Sequence, residues 1–453
     1  MEIKSEAVKP KESATQKTTA VKSTEAAKEV YNVVKSLYTQ AQQAMAAKAP
    51  IAWLMVGCLA EEILKAMEVV PVYPENYAAV CAAKKAAQPF IGKAEAAGYS
   101  SADCGYARTG IGYAIARQEM GMIPPFAPLG GMADPQMLIG SSYACDTRYK
   151  WFQTLARYMD VPYCAVDVVH PPADITVTEV EDYYLDYQVD ELKRLVAFVE
   201  KHTGKKMDYD KLSELVNIAE QTRKAWSHCY EMRKAVPGPM PTQDMLSCVV
   251  PGKFNPSAPE ALAFYRRLEN ELQYRIDHKI GVVDEEKYRL MFIGLPPWHG
   301  MKIFNYLESL GAVCVIENIY YPGKPSERAA RFSDPLRRMA ADEMYRWAEM
   351  WGKMGQDGTQ PEIDWMRRWV DEYKVDGILI HTARSCRLSA TMQVTFRNIL
   401  QDFVKIPILS IESDIIDERS YSEAQVKAQI DAFMEILASS KKEPASKGRT
   451  KPS

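Results

Sequence analysis

Short apolar runs alternate with helical stretches along the first part of the chain. The runs lie at residues 51–57, 69–73, 136–142 and 163–168. A short continuous apolar run is typical of a strand buried on both faces, and helices between such strands indicate a parallel sheet. The pattern therefore predicts an α/β lobe near the N-terminus.

The pattern changes in the middle of the chain and then returns. Leu192, Leu195, Val196 and Val199 follow helical spacing, in a segment rich in Glu, Lys, Leu and Ala. Further buried-strand runs follow this helical segment. They are residues 288–294, 312–317, 375–381 and 406–411. A second α/β lobe is therefore predicted after a helical connection.

These patterns divide the chain into five segments. Residues 1–28 and 438–453 have the composition of solvated tails and are predicted to be disordered. Between them we predict an α/β lobe over 29–177, a helical segment over 178–285 and a second lobe over 286–437. The fold class is therefore α/β, with two lobes of parallel sheet joined by helices.

Composition and charge narrow the classes of function. The 453 residues are 47% hydrophobic and 25% charged, close to a soluble globular average. A net charge of −3 gives no support to a nucleic-acid or membrane-surface partner. The chain lacks an apolar stretch long enough for a membrane span, and its first thirty residues lack the apolar core of a secretory signal. We therefore expect a cytoplasmic protein.

Three of the nine cysteines share one local pattern. Cys104, Cys145 and Cys386 each precede a predicted helix, and the last two also follow a predicted strand. An odd number of cysteines at irregular spacing, without an export signal, argues against a disulfide framework. The remaining cysteines are expected to be core residues.

A helix N-terminus lowers the pKa of a thiol and stabilises anions. Three thiolates placed in this way could hold an iron–sulfur cluster. Arg108, Arg148, Arg384 and Arg387 are expected to add positive charge nearby. The sequence contains no local C-x-x-C, so the spacing alone favours three helix-start cysteines without a metal.

Several short motifs occur in order along the chain. They are DCGYAR at 103–108, ACDTRYKWF at 144–152, GLPPW at 294–298, RSC at 384–386, IESD at 411–414 and YSE at 421–423. In these motifs the chain resembles the 2-hydroxyacyl-CoA dehydratase and benzoyl-CoA reductase family, over roughly residues 45–437. The resemblance implies two Rossmann-like lobes. It also implies a 4Fe–4S cluster bound by Cys104, Cys145 and Cys386, with the fourth iron free of protein ligands.

The resemblance also implies partners. Members of the family pair with a related second cluster-bearing subunit, and ATP-hydrolysing activator subunits deliver low-potential electrons, with ferredoxin as the upstream donor. The chain has no G-x-x-x-x-G-K-[ST] motif, which agrees with a separate ATPase. Benzoyl-CoA or a similar acyl-CoA is the expected substrate.

Two reactions occur within this family. Reductases add electrons to the ring of benzoyl-CoA, and dehydratases expel the 2-hydroxyl of an acyl-CoA as water. The CDTRYKWFQ stretch at 145–153 and the long helical middle look more like the larger, cluster-bearing subunit of ATP-dependent benzoyl-CoA reductase. The alternatives are a dehydratase subunit, a non-catalytic acyl-CoA-binding partner and a metal-free two-lobed binding protein.

Two residues are candidates for acid–base or substrate-facing roles. Glu61 begins a predicted helix where the family often has a Pro-Glu-Glu-like turn, although Ala60 replaces the proline here. His299 follows Trp298 at the end of a strand and could donate a proton to the reduced ring. The structural alternatives are a glutamate at a helix N-terminus and a hydrogen-bonded loop histidine. His381, five residues before Cys386, is a candidate donor to the cluster surroundings.

Overall fold

The computed structural model describes residues 20–143, 145–169, 177–350 and 361–442. In these ranges it contains two four-stranded sheets, in which every pairing is parallel. The α/β class with two lobes, predicted from the apolar runs, is confirmed.

The first lobe has the strand order β2-β1-β3-β4. Its strands are β1 (Ile51–Leu54), β2 (Val70–Val72), β3 (Met137–Ser141) and β4 (Tyr163–Val166). Its helices are α1 (Glu25–Ala46), α2 (Glu61–Ala66), α3 (Pro74–Ala83), α4 (Gln88–Ala96), α5 (Gly105–Met120) and α6 (Asp146–Met159). Every residue of β1 and β3 is buried, as the uninterrupted apolar runs require.

Four helices form the connection between the lobes. They are α7 (Val177–Thr203), α8 (Tyr209–Met232), α9 (Thr242–Phe254) and α10 (Pro259–Asp277). Asp208 begins α8 by accepting the backbone N–H of Lys211 with its side chain. The connection is tied to the second lobe by Arg233, which forms an ion pair with Glu317 in which both side chains are fully buried.

The second lobe repeats the topology of the first, with strand order β6-β5-β7-β8. Its strands are β5 (Tyr288–Ile293), β6 (Ala312–Glu317), β7 (Gly377–Ala383) and β8 (Ile408–Ser413). Its helices are α11 (Lys302–Ser309), α12 (Pro335–Met350), α13 (Pro361–Glu372), α14 (Arg387–Val404) and α15 (Glu423–Lys442).

This strand order fixes where a ligand can bind. In each lobe the second strand lies on one side of the first strand, and the third and fourth strands lie on its other side. The strand order therefore reverses between β1 and β3, and between β5 and β7. Ligands of open parallel sheets bind beyond the carboxyl ends of the strands at such a reversal. The loops after β1, β3, β5 and β7 are therefore the places to look for a site.

The boundaries of the two predicted tails differ from the structure. Residues 20–28 belong to the folded part of the chain, because the backbone N–H groups of Ser23 and Thr24 donate to the buried Asp244 carboxylate at 2.9 and 2.8 Å. Helix α15 continues to Lys442, past the predicted end of the second lobe at 437. The rest of both predicted tails, residues 1–19 and 443–453, lies outside the described residues.

Across the ranges that the structure describes, no helix has both the length and the apolar character needed to cross a membrane.

Candidate functional site

Three helices of the two lobes begin directly after a cysteine. Cys104 precedes α5, Cys145 precedes α6 and Cys386 precedes α14, each at the N-cap position. Cys145 and Cys386 occupy equivalent places, because α6 follows β3 in the first lobe and α14 follows β7 in the second. The sequence prediction placed all three at helix starts, and the structure agrees.

The neighbours of Cys386 connect it to the other two cysteines. The Ser385 hydroxyl accepts the backbone N–H of Gly105 at 3.2 Å, next to Cys104. Arg387 forms an ion pair with Asp146, next to Cys145. The thiols are also close enough to influence one another, since Cys386 adds to the rise in pKa of both other cysteines, after burial. The fold therefore brings the three cysteines of two lobes to one place.

Burial dominates the chemistry of these thiols. It raises the pKa of Cys104 to about 12, and the backbone N–H groups of Ala107 and Tyr106 only partly oppose this. Burial also raises the pKa of Cys145 and of Cys386. In the protein alone the thiols are therefore protonated at neutral pH, and their deprotonation needs a strong neighbouring positive charge, such as metal ions supply.

Three cysteine thiols are a donor set of the kind that binds an iron–sulfur cluster. Within the described ranges, no three His, Cys, Asp or Glu side chains lie close enough together to bind one metal ion. Each thiolate ligand of a cluster binds a different iron, so these ligands lie farther apart than those around one ion. The three thiols are partly buried and stand at three separate helix starts.

The positive charge expected from four arginines is balanced in the structure. Arg148 is paired with Glu75, Arg384 with Glu412 and Arg387 with Asp146. Arg108 lies among Glu95, Asp414 and Asp417. These carboxylate partners come from distant parts of the sequence. Arg148 still lowers the pKa of Cys145, as the expected positive charge would, against the larger effect of burial.

Asp414 connects two of the three cysteine loops. Its Oδ2 accepts hydrogen bonds from the Ser385 hydroxyl and, at 3.3 Å, from Nη2 of Arg108. Nε of Arg108 donates in turn to the carbonyl of Asp103 at 2.9 Å. The backbone on either side of Cys104 and the residue before Cys386 are thus held through one buried carboxylate.

A cavity of about 500 Å³ includes Tyr106, two residues from Cys104, in its wall. It is lined by residues of α1, α3 and α9, and most of its wall is apolar. We call the part of the wall formed by Val56, Glu75, Tyr106, Trp298 and Tyr320 its inner end, and the part formed by the exposed Lys28, Tyr31 and Lys84 its outer end. The Glu75 carboxylate adds, after burial, to the rise in pKa of Cys145 and Cys386.

The inner end of this cavity is aromatic and hydrogen-bonded. Nε1 of Trp298 donates to the Tyr106 hydroxyl at 2.5 Å. The Tyr106 and Tyr320 side chains lie close enough together for each to influence the pKa of the other. Burial raises the pKa of both tyrosines, so both stay protonated and can donate hydrogen bonds. This end combines flat apolar surface with neutral donors.

Comparison with protein families identifies the chain. The family model described as 2-hydroxyglutaryl-CoA dehydratase, D-component, matches residues 57–437. The chain belongs to this family. The matched range begins after β1 and includes the rest of the first lobe, the helical connection, the second lobe as far as residue 437, all three cysteines and Asp414. The predicted resemblance is confirmed.

Several curated proteins are similar to this family member over most of its length. The lactoyl-CoA dehydratase subunit alpha of Anaerotignum propionicum is 25% identical over 83% of this chain and 88% of its own length. The (R)-2-hydroxyisocaproyl-CoA dehydratase alpha subunit of Clostridioides difficile is 26% identical over 91% and 96%. A subunit of the benzoyl-CoA reductase of Thauera aromatica is 25% identical over 83% and 86%. At these identities the relatives do not separate the two reactions of the family.

Glu61 is buried at the start of α2, within a polar network. Its carboxylate accepts the Ser257 hydroxyl at 2.9 Å and forms an ion pair with Lys65 at 2.7 Å. Burial and the Glu61 carboxylate raise the pKa of the adjacent Glu62 to about 7. Glu61 does not belong to the wall of the cavity described above. Its contacts match the structural alternative, and a catalytic role stays a prediction.

His299 is also buried, at 4% exposure. Its Nε2 is 2.8 Å from the carbonyl oxygen of Asp414, and burial lowers its pKa. It lies behind the cavity wall that Trp298 forms. His381 contacts the carbonyl of Leu295 and, at 2.7 Å, the Ser413 hydroxyl, so it supports the loops of the second lobe. A proton-donor role for His299 stays a prediction.

Sequence reasoning did not predict the neighbouring tyrosines or the links through Ser385 and Asp414 in this family member. Tyr106 lies inside the DCGYAR motif and Asp414 ends the IESD motif, but the motifs alone assign neither residue a function. Tyr320 has no local signal, because its neighbour Tyr106 is more than two hundred residues away in the sequence.

Proposed function

We propose that this chain is the iron–sulfur subunit of an enzyme that transfers low-potential electrons to an acyl-CoA thioester. One observation carries the proposal: three cysteines from both lobes begin helices whose loops contact one another, and Tyr106, two residues from Cys104, lines an apolar cavity. Family membership supports the acyl-CoA substrate class. Cys104, Cys145 and Cys386 are the proposed ligands of a 4Fe–4S cluster.

The cavity suits the two ends of such a substrate. Its apolar middle, formed by α1, α3 and α9, would exclude water from the acyl group and the pantetheine arm. Lys28 and Lys84 are exposed at the outer end, where the phosphates of CoA would lie, and Lys84 Nζ is 4.9 Å from the centre of the Tyr31 ring. The thioester would then be placed at the inner end, beside the cysteines.

The protein's own residues divide the work. When bound, the cluster supplies low-potential electrons and an iron free of protein ligands. The three thiolates hold it, Asp414 orients the loops of Cys104 and Cys386 through Ser385 and Arg108, and the walls of the cavity keep water out. Tyr106 and Tyr320 keep hydroxyl protons at the thioester end.

For the reaction itself we propose reduction of benzoyl-CoA as the first candidate. The flat surface of Tyr106, Trp298 and Tyr320 at the inner end favours a planar ring. Elimination of water from a 2-hydroxyacyl-CoA is the second candidate, and the dehydratase subunits among the relatives favour it.

The proposal includes partners. The relatives are named as subunits, which supports pairing with a related second subunit. The chain carries no P-loop motif, so ATP hydrolysis would belong to separate activator subunits. Ferredoxin would supply these activator subunits with electrons.

The test is the iron and acid-labile sulfide content of protein purified without oxygen together with its paired subunit, followed by EPR spectroscopy. About four irons per copy of this chain support the proposal. A spectrum that changes with benzoyl-CoA selects the reductase, and one that changes only with a 2-hydroxyacyl-CoA selects the dehydratase. Protein without iron under strict anaerobiosis contradicts the proposal.

A further inference from the structure

The hydrogen bonds at the inner end of the cavity leave one proton over. The indole N–H of Trp298 can only donate, and it donates to the Tyr106 hydroxyl at 2.5 Å. The Tyr106 and Tyr320 side chains lie close enough together to influence each other's pKa. Among the described residues, no well-formed hydrogen bond joins either hydroxyl proton to a protein acceptor. The two hydroxyls carry two protons, and an interaction between them can use at most one. The second proton is available for another acceptor.

The structure limits where that acceptor can be. Both tyrosines line the cavity. Glu75 is the one acidic residue among the lining residues, and its Oε2 accepts from Arg148 at 2.9 Å. Within the described part of the chain, no hydrogen bond joins Glu75 to either tyrosine. The remaining donor is therefore available to a ligand inside the cavity.

The backbone of Tyr320 supports a functional placement. Its φ is +63°, in the left-handed region that residues with a side chain rarely adopt. It follows β6 closely, at the carboxyl edge of the second sheet where ligands of such folds bind. A strained residue that carries a donor at a ligand edge is a recurring arrangement of binding sites.

We propose that the Tyr106–Tyr320 pair donates a hydrogen bond to the carbonyl oxygen of the bound thioester. The identity of that ligand rests on the proposed function. A carbonyl oxygen is an uncharged acceptor, which suits a neutral phenol in an apolar cavity. Its charge becomes more negative as the thioester accepts an electron, so the same bond would strengthen during the reaction.

The experiment is isotope-edited infrared spectroscopy of acyl-CoA labelled with ¹³C at the thioester carbonyl, bound to the anaerobic complex with the paired subunit. Benzoyl-CoA and lactoyl-CoA are both used as probes. In the unmodified protein the carbonyl band of the bound probe should lie below that of the free probe, because a hydrogen bond weakens the C=O bond. Tyr320→Phe and Tyr106→Phe remove one hydroxyl each, and their double variant removes both.

We expect the double variant to return the band to the position of an unbonded carbonyl and to weaken binding about five- to tenfold, the range of one hydrogen bond. Tyr31→Phe, which removes a hydroxyl at the outer end of the same cavity, is the matched control and should leave the band in place. An unshifted band in the unmodified protein, an unchanged shift in the double variant or failure of both probes to bind overturns the inference. Iron content measured on the same samples separates the two proposals, since a tyrosine-dependent shift without iron contradicts only the cluster.

Discussion

The two lobes share one strand order but contribute differently to the site. In both, a cysteine starts the helix after the third strand, Cys145 in one and Cys386 in the other. The loop after the first strand differs: in the first lobe it leads into α2, which begins with the Glu61–Lys65 ion pair, and in the second lobe it contains Trp298 and His299. The first loop contributes the small apolar Val56 to the cavity wall, and the second contributes the large aromatic Trp298. A repeated topology therefore fixes where ligands can bind, and the loop sequences decide which side chains meet them.

The lobes also differ in what supports their cysteines. The Asp414 carboxylate of the second lobe orients Cys104 of the first lobe, through Arg108 and Ser385. The site therefore depends on the lobes keeping their relative position. The predictions below separate ligation, lobe docking and local packing.

The largest effect is expected from the equivalent cysteines. Cys145→Ala and Cys386→Ala should each abolish activity and remove most of the iron, because each removes a proposed cluster ligand. Iron analysis and EPR of anaerobic samples check this. Cys164→Ala, at a buried cysteine of β4, is the control and should keep its iron. Full iron in the Cys386→Ala protein would show that the two positions are not equivalent.

The next effect distinguishes two buried arginines. Arg233→Met leaves the buried Glu317 carboxylate without its charge partner and should cost about 3–5 kcal/mol in the free energy of unfolding, while the folded fraction keeps its iron. Arg108→Met should be destabilising and should also lose iron, because Arg108 holds the backbone before Cys104. Denaturant unfolding and iron analysis on the same samples check both. Equal iron in the two variants would contradict the orienting role of Arg108.

A pH effect is expected from the second lobe. Burial lowers the pKa of His381 to about 4, against about 6.5 in an unfolded chain. As pH falls, the unfolded state therefore binds a proton on His381 before the folded state does. The contribution of His381 to the free energy of unfolding is complete above pH 6.5 and is lost toward pH 4. The free energy of unfolding should fall by about 3 kcal/mol over this range. In the apo protein, His381→Asn should reduce the dependence of the free energy of unfolding on pH in this window. The exposed His278→Asn should not. The same pH dependence in the unmodified protein and in both variants would contradict the role of His381.

The smallest effect concerns one close approach between the lobes. A Cβ at Gly105 would lie 2.4 Å from Oδ1 of Asp414, so Gly105→Ala should cost about 1–3 kcal/mol and weaken iron binding. Gly92→Ala, in α4 with open space around it, should be neutral or stabilising. Thermal unfolding of both proteins checks the difference. If the Gly105→Ala protein were as stable as the Gly92→Ala protein, the loops that contain Gly105 and Asp414 would be able to move apart at little cost in free energy.

The sequence predicted the elements better than the contacts. Runs such as 136–142 and 312–317 marked buried strands because both faces of a parallel sheet are covered, which leaves an uninterrupted apolar run. The cysteines at helix starts were visible for a similarly local reason. The carboxylate partners of the arginines were not predicted, because Arg108 meets Asp414 across 306 positions and such pairing has no local signature. The cavity and the tyrosine pair depend on the same kind of long-range contact.

The segment of residues 20–28, which leads into and begins α1, has a practical consequence for anyone preparing the protein. Its composition invites shortening the chain to residue 29, yet Lys22, Ala27 and Lys28 form part of the cavity wall. Removing it would take away the three hydrogen bonds that Ser23 and Thr24 donate to Asp244, and would open the apolar interior to water. A trimmed protein could fold, bind iron and still fail with its substrate. Work on this chain should therefore keep its first helix together with the residues that lead into it.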